Sequence, residues 1–215
     1  MKSHKIARVL LETGGQGAHS IGMKNPKLED VPFLDGKLLV AMPGMGDPRF
    51  DKAVVFICAH SAEGAMGLMI NKPAERLKFD DLMTQLGIDW DGELASPPVH
   101  HGGPVEHGRG FVLHSRDYES EGSSMNIGDD FGMTATLDIL TDIALGKGPK
   151  RALLALGYTG WAPGQLEAEL RANGWLIADA DPDLIFNAKD ADKWQLAIEK
   201  LGIDPRMLSA EGGRA

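Results

Sequence analysis

A chain of 215 residues, 43% hydrophobic and 25% charged, can bury one sizeable core without disulfide or metal staples, which excludes wholesale disorder. Cys58 is the sole cysteine, so an intrachain disulfide and a secreted, disulfide-built scaffold are excluded. The formal net charge is −9, and basic residues are scattered singly from Lys37 through Arg109 to Lys200, which disfavours direct binding to nucleic acid.

Residues 1–32 contain Gly14, Gly15, Gly17, Gly22, Pro26 and Pro32 and sustain no helix or strand period. They are expected to form a flexible N-terminal extension with one short helix between His4 and Glu12. Lys2, Lys5 and Arg8 precede the apolar Val9, Leu10 and Leu11, but that run is too short for a signal sequence and Glu12 ends it. The longest uninterrupted apolar run, 53–59, falls far short of the roughly 20 residues a spanning helix needs. The expectation is a cytoplasmic protein with no membrane span, a patterned domain over 33–209 and a frayed end over 210–215.

Within that domain, 38–42, 53–59, 66–70 and 152–156 are short apolar runs. Continuous rather than alternating apolarity predicts strands covered on both faces. The short link from His60 to Ala65, with Glu63 and Gly64, predicts an antiparallel hairpin. Phe79, Leu82, Met83 and Leu86 follow helical spacing, with Asp80 and Asp81 in the first turn and Gly87 at the stop. A second helix runs through Leu137, Leu140, Ile143 and Ala144, with Thr136 as N-cap and Gly146 as stop. Pro163 is expected to start a third through Leu166 and Leu170, ending at Gly174. Trp194, Ala197, Ile198 and Leu201 make the fourth, closed by Gly202. Hairpins in front and helices behind predict a mixed α/β (α+β) single domain rather than a regular doubly wound one.

Several motifs carry potential chemistry. Cys58 and His60 share a strand face by spacing, and an imidazole can activate a thiolate. Side chains two apart on a strand sit roughly 6.5–7 Å apart, beyond hydrogen-bond reach, so a base such as His114 would have to serve instead. A buried, unreactive cysteine is the favoured reading. Four of the seven histidines (His100, His101, His107 and His114) fall in a glycine-rich stretch at irregular spacings that fit no metal-site pattern. No metal and no cofactor is expected. Gly102-Gly103-Pro104 reads as a tight turn, and Gly108 and Gly110 suit close backbone approach. Arg109 with nearby backbone N–H groups could form an anion nest. Residues 157–167 follow a strand and open a helix, yet match neither nucleotide-binding glycine motif, and Glu167 and Glu169 in the first turns would repel a phosphate. Tyr158, Thr159, Trp161 and Gln165 could line a pocket for a neutral or cationic ligand. The loop 43–48, with Asp47, could rim the same cleft. Asn71 before Pro73 is expected to bond its own backbone. No serine elbow, paired-carboxylate signature or CxxC is present.

Three segments stand in one order: LDGKLLVAMPGMGDPRFDKAVVFICAHSAEGAMGLMINKP, HGGPVEHGRGFVLHS and LGYTGWAPGQLEAELRANGW. Together they resemble the YqgE/AlgH family of bacterial proteins, from about Leu34 to about Ser209. The resemblance implies a three-layer mixed α/β fold with a partly barrel-like sheet flanked by helices. It implies no settled activity and no catalytic residues. One branch is described as a transcriptional regulator linked to alginate production, but the acidic charge and the lack of a helix-turn-helix pattern speak against direct operator binding here.

The reading that follows is a non-enzymatic binding or regulatory module acting through an unknown small molecule or protein partner. Its candidate ligand-binding residues are Asp47, Arg109, Tyr158, Thr159, Trp161 and Gln165. One rival is a hydrolase or thiol-dependent enzyme using Cys58 or a loop histidine. The other is a direct DNA-binding regulator.

Overall fold

Strand β8 (Ala152–Trp161) belongs to two groups of strands at once, and the sheet is built outward from it. The computed structural model describes residues 33–90, 92, 94, 96–120 and 122–208. The readings made for 1–32 and 210–215 lie outside the described residues. The first half of β8 pairs antiparallel with β5 (Val105–Ser115) and parallel with β4 (Val99–His101). Its last three residues pair antiparallel with β3 (Gly64–Met69). Beyond β3 come β2 (Val54–Ser61), β1 (Lys37–Ala41) and β9 (Trp175–Asp179); beyond β5 come β7 (Phe131–Thr134) and β6 (Ser124–Ile127). The order is β6-β7-β5-β8-β3-β2-β1-β9. Among the described residues β4 with β8 is the parallel pair in an otherwise antiparallel, half-barrel sheet. The expected mixed fold and the hairpin between β2 and β3 are both present.

Gly157 sits between the two halves of β8 with φ at +72°, and a Cβ there would stand 2.7 Å from the carbonyl oxygens of Gly103 and Val105. A Cβ on Gly103 would lie 2.1 Å from the Tyr158 carbonyl carbon, and one on Gly102 2.2 Å from the Gly157 oxygen. Glycine is required where two backbones touch, and these three let the start of β5 cross β8. The close approach expected at Gly108 and Gly110 therefore falls elsewhere: Gly108 faces open space.

Both faces of the sheet are covered, as the unbroken apolar runs predict. Leu38 and Val40 alternate with Leu39 and Ala41 along β1, and all four are buried. One face joins Leu39, Val55, Ile57, Met69, Trp161 and Trp175 in a single cluster with Leu166. Another cluster packs Val99, Val112 and Leu154 under Phe79 and Met83 of α1 (Phe79–Leu86) and Ile139 and Ile143 of α2 (Asp138–Ala144). The helices α3 (Gln165–Arg171), α4 (Pro182–Phe186) and α5 (Asp190–Lys200) complete the covering.

Helix ends depart from expectation at three places, one of them the stop of α3, which ends at Arg171 with Asn173, not Gly174, in the left-handed conformation. Leu137, not Thr136, is the N-cap of α2, and it has no side-chain cap bond. Pro163 does not start α3: Gly164 takes φ +73° at the N-cap, a left-handed geometry that a helix interior cannot contain, so the helix begins at Gln165. The first helix matches its signals, with Lys78 N–H donating to Asp81 and Gly87 left-handed at the C-cap. Strands β4, β6, β7 and β9 and helix α4 go beyond the elements expected from the sequence. The latter carries a plain start signal, Asp181 accepting from Asp183 N–H with Pro182 at the first turn.

Candidate functional site

Cys58 and His60 do not keep the alternation their spacing suggests. Ile57 opposes Gly67 and Ala59 opposes Met66, so Cys58 is the extra residue of a β-bulge. The slip turns His60, opposite Ala65, to the side of Val55 and Ile57, which share a cluster with Ala65. The thiol is buried, and that burial, reinforced by the negative Asp35, pushes its pKa up, away from the nucleophilic thiolate. His60 is buried too. Its Nδ1 accepts from Leu34 N–H at 3.2 Å, which leaves Nε2–H to donate to Glu167 Oε1 at 3.1 Å.

The four clustered histidines scatter. His100 and His114 are fully buried, whereas His101 and His107 are exposed. His114 bonds Ser115 O at 2.9 Å and Thr134 Oγ1 at 3.0 Å, and it packs on Gly132, where a Cβ would lie 2.4 Å from the ring. Burial lowers its pKa, so it sits neutral as a core residue and serves no thiol. His100 Nε2 lies 2.9 Å from Asp190 Oδ1, and the buried Lys193 bridges the same oxygen at 2.9 Å to Ile70 O at 2.8 Å. Burial raises the Asp190 pKa, but the bonds from His100 and Lys193 outweigh it and hold the carboxyl at about 2. The sequence reading missed this network, which ties α5 to β4 and to the end of β3. Lys193 at i+3 from Asp190 was the available signal.

The two glutamates of α3 are anchors rather than mere dipole partners. Residues two apart on a helix point to nearly opposite sides. Glu167 accordingly reaches His60, while Glu169 accepts from Trp161 Nε1 at 2.9 Å, Trp175 Nε1 at 2.8 Å and Gln165 Nε2 at 2.9 Å. Asn71 also departs from expectation. It bonds another segment, accepting from Val54 N–H and donating to Lys52 O, both at 2.8 Å.

The six candidate residues fall into separate groups. Trp161 and Gln165 meet through Glu169, and Trp161 is buried. Thr159 is buried and donates to Gly67 O at 2.9 Å. Asp47 caps its own turn and chelates Arg49. Arg109 and Tyr158 come together at the crossing, Arg109 exposed and Tyr158 buried. The Arg109 guanidinium lies 5.0 Å from the Phe111 ring centroid and 3.3 Å from Glu106 Oε2, and the Phe111 and Tyr158 rings meet edge to face at 5.8 Å. Burial and then the Glu106 charge raise the Tyr158 pKa, with Arg109 opposing. Between Val105, opposite Tyr158, and Gly110, opposite Leu156, the β5 register breaks, and His107, Gly108 and Arg109 stand exposed. Glu106 there has φ +51°, a left-handed conformation uncommon for a residue with a Cβ.

The curled mixed sheet, with β8 common to both halves and helices on its faces, defines an AlgH-like α/β protein. The chain belongs to the AlgH-like family, whose model (DUF179) matches residues 38–206. It is 57% identical over 183 residues to a UPF0301 protein of Ruegeria pomeroyi, covering 85% of this chain and 99% of that one. A UPF0301 protein of Bradyrhizobium diazoefficiens is 52% identical over 208 residues, covering 94% and 96%. The solution structure of AlgH from Pseudomonas aeruginosa superposes with a TM-score of 0.67 at 35% identity, over 91% of this chain and 100% of that one. A crystal structure from Corynebacterium diphtheriae, at 20% identity and a TM-score of 0.63 over 80% of this chain and 88% of that one, shares the fold. No helix among the described residues is long and apolar enough to cross a membrane.

Proposed function

We propose that this protein is a non-enzymatic binding module of the cytoplasm, and that it regulates by engaging a small molecule or a protein partner. The observation that carries the reading is the exposed break in β5. There a strained Glu106 and the exposed Arg109, its guanidinium stacked on the buried Phe111 beside the buried Tyr158, mark a surface segment anchored to the core by the Gly102–Gly103 crossing on β8. Strained backbone at an anchored surface segment is typical of recognition sites. Arginine is among the side chains that most often dominate such surfaces. The buried Cys58, His60, His100 and His114 support the same reading, since their burial and bonding serve the core.

Thermal unfolding against a panel of metabolites, nucleotides and divalent metals tests the small-molecule form. A ligand at a hundred times its dissociation constant adds about 2.7 kcal/mol, or roughly 5–11 °C for a domain of this size. The reading expects such a shift to disappear in Arg109→Gln. A shift that survives Arg109→Gln and disappears in Cys58→Ala points to thiol chemistry instead.

A further inference from the structure

A cleft of about 200 Å³ opens where Pro97 and Pro98, the run from Pro149 to Ala152 and the end of α4 meet. That is below the roughly 300–1,000 Å³ of sites for drug-sized ligands, so it suits a small metabolite. Proline fixes its own backbone, so the Pro97, Pro98 and Pro149 walls are set before any ligand arrives. Phe186 adds an aromatic wall, and Lys150 and Arg151 bring two positive charges. Among the described residues that line the cleft none is acidic, although the chain carries 31 acidic residues against 22 basic ones.

The cations are positioned. Asp183 Oδ1 accepts from Arg151 Nη1 at 3.3 Å and from Asn187 Nδ2 at 2.9 Å, and the Arg151 guanidinium lies 5.7 Å from the Phe186 ring centroid. The Asp183 side chain is 80% ex
posed, and an ion pair so placed is weak, leaving Arg151 donors for an incoming anion. Lys150 gives its backbone N–H to Asp117 Oδ2 at 3.2 Å, and its ammonium charge also helps lower the pKa of that carboxyl.

We propose that this cleft binds a small aromatic monocarboxylate, its carboxylate held by Lys150 and Arg151 and its ring against Phe186 and the prolines. The site does not rest on the Arg109 surface, because Ala152 opens β8 whereas Tyr158 lies toward its other end. The test is a titration of the full chain with benzoate, and separately with inorganic phosphate, followed by backbone amide NMR shifts. Benzoate is expected to move the signals of 150–152 and 186–187 saturably. The double variant Lys150→Gln/Arg151→Gln is expected to weaken binding at least about tenfold, since hydrogen bonds to charged groups are lost. Arg109→Gln should leave it unchanged. Should the double variant not fold, wild-type affinity for benzoate must still fall as salt rises. No saturable shift, salt-independent binding, equal weakening by Arg109→Gln, or phosphate binding as tight as benzoate would each overturn the proposal.

Discussion

His60 Nε2 and Glu167 Oε1 lie 3.1 Å apart, joining strand β2 to helix α3 across the edge of a packed cluster. The pair exists because a bulge at Cys58 shifts the strand by one residue, and Leu34 N–H fixes which ring nitrogen carries the proton. Truncating the glutamate strands a buried N–H donor. Glu167→Ala is expected to cost about 1–3 kcal/mol by urea unfolding, and Glu167→Gln, which keeps an acceptor oxygen, clearly less. Equal costs for the two variants would show that the hydrogen bond is not what the glutamate contributes.

Gly157→Ala tests the backbone crossing. The added methyl meets two carbonyl oxygens at 2.7 Å and forces a side chain into left-handed backbone. Overpacking and conformational strain together predict a loss of about 2–5 kcal/mol. Gly108→Ala, facing open space, is expected to change stability by less than about 1 kcal/mol. Denaturant midpoints of the two variants give the comparison directly.

Cys58 should behave as core. Its burial and raised pKa predict that a thiol reagent modifies it only as the chain opens. The modification rate in native buffer should therefore follow the denaturant dependence of unfolding. A fast reaction with folded protein, insensitive to denaturant, would restore the thiol as a reactive group.

Acid should act in two windows. The folded pKa of Asp190 is depressed to about 2 from 3.8, so its stabilisation is present above about pH 4 and is lost as pH falls through 2. His114 has its folded pKa lowered from 6.5 by burial, so the unfolded chain binds its proton first and stability begins to fall below that pH. Stability measured from pH 7 to pH 2 should show both declines. Asp190→Asn should shrink the lower one, to which Asp47, Asp117, Asp179 and Asp204 also contribute, and His114→Gln should remove the upper one, in each case with a lower starting stability.

Much of the fold was legible in the chain because its strongest elements depend on local pattern. The apolar runs of β1, β2, β3 and β8 and the stripes of α1, α2 and α5 announce themselves by period. The short β9, and the exposed half of β5 with its glycines, carry no such pattern; neighbours decide them. The start of α4 could have been read from Asp181 and Pro182. The site was less legible. Spacing alone put Cys58 and His60 on one face, and only the bulge separates them. The partners of His60, His100 and Asn71 lie 107, 90 and 17 residues away, distances at which sequence pattern is silent.

The most direct test of the binding-module account is quantitative affinity capture from the native cell with three baits: wild type, Arg109→Glu and Cys58→Ala. The account predicts at least one molecule retained by wild type and by Cys58→Ala and lost from Arg109→Glu, with all three baits folded by thermal unfolding. The same retained set on wild type and Arg109→Glu, an empty set included, would contradict it.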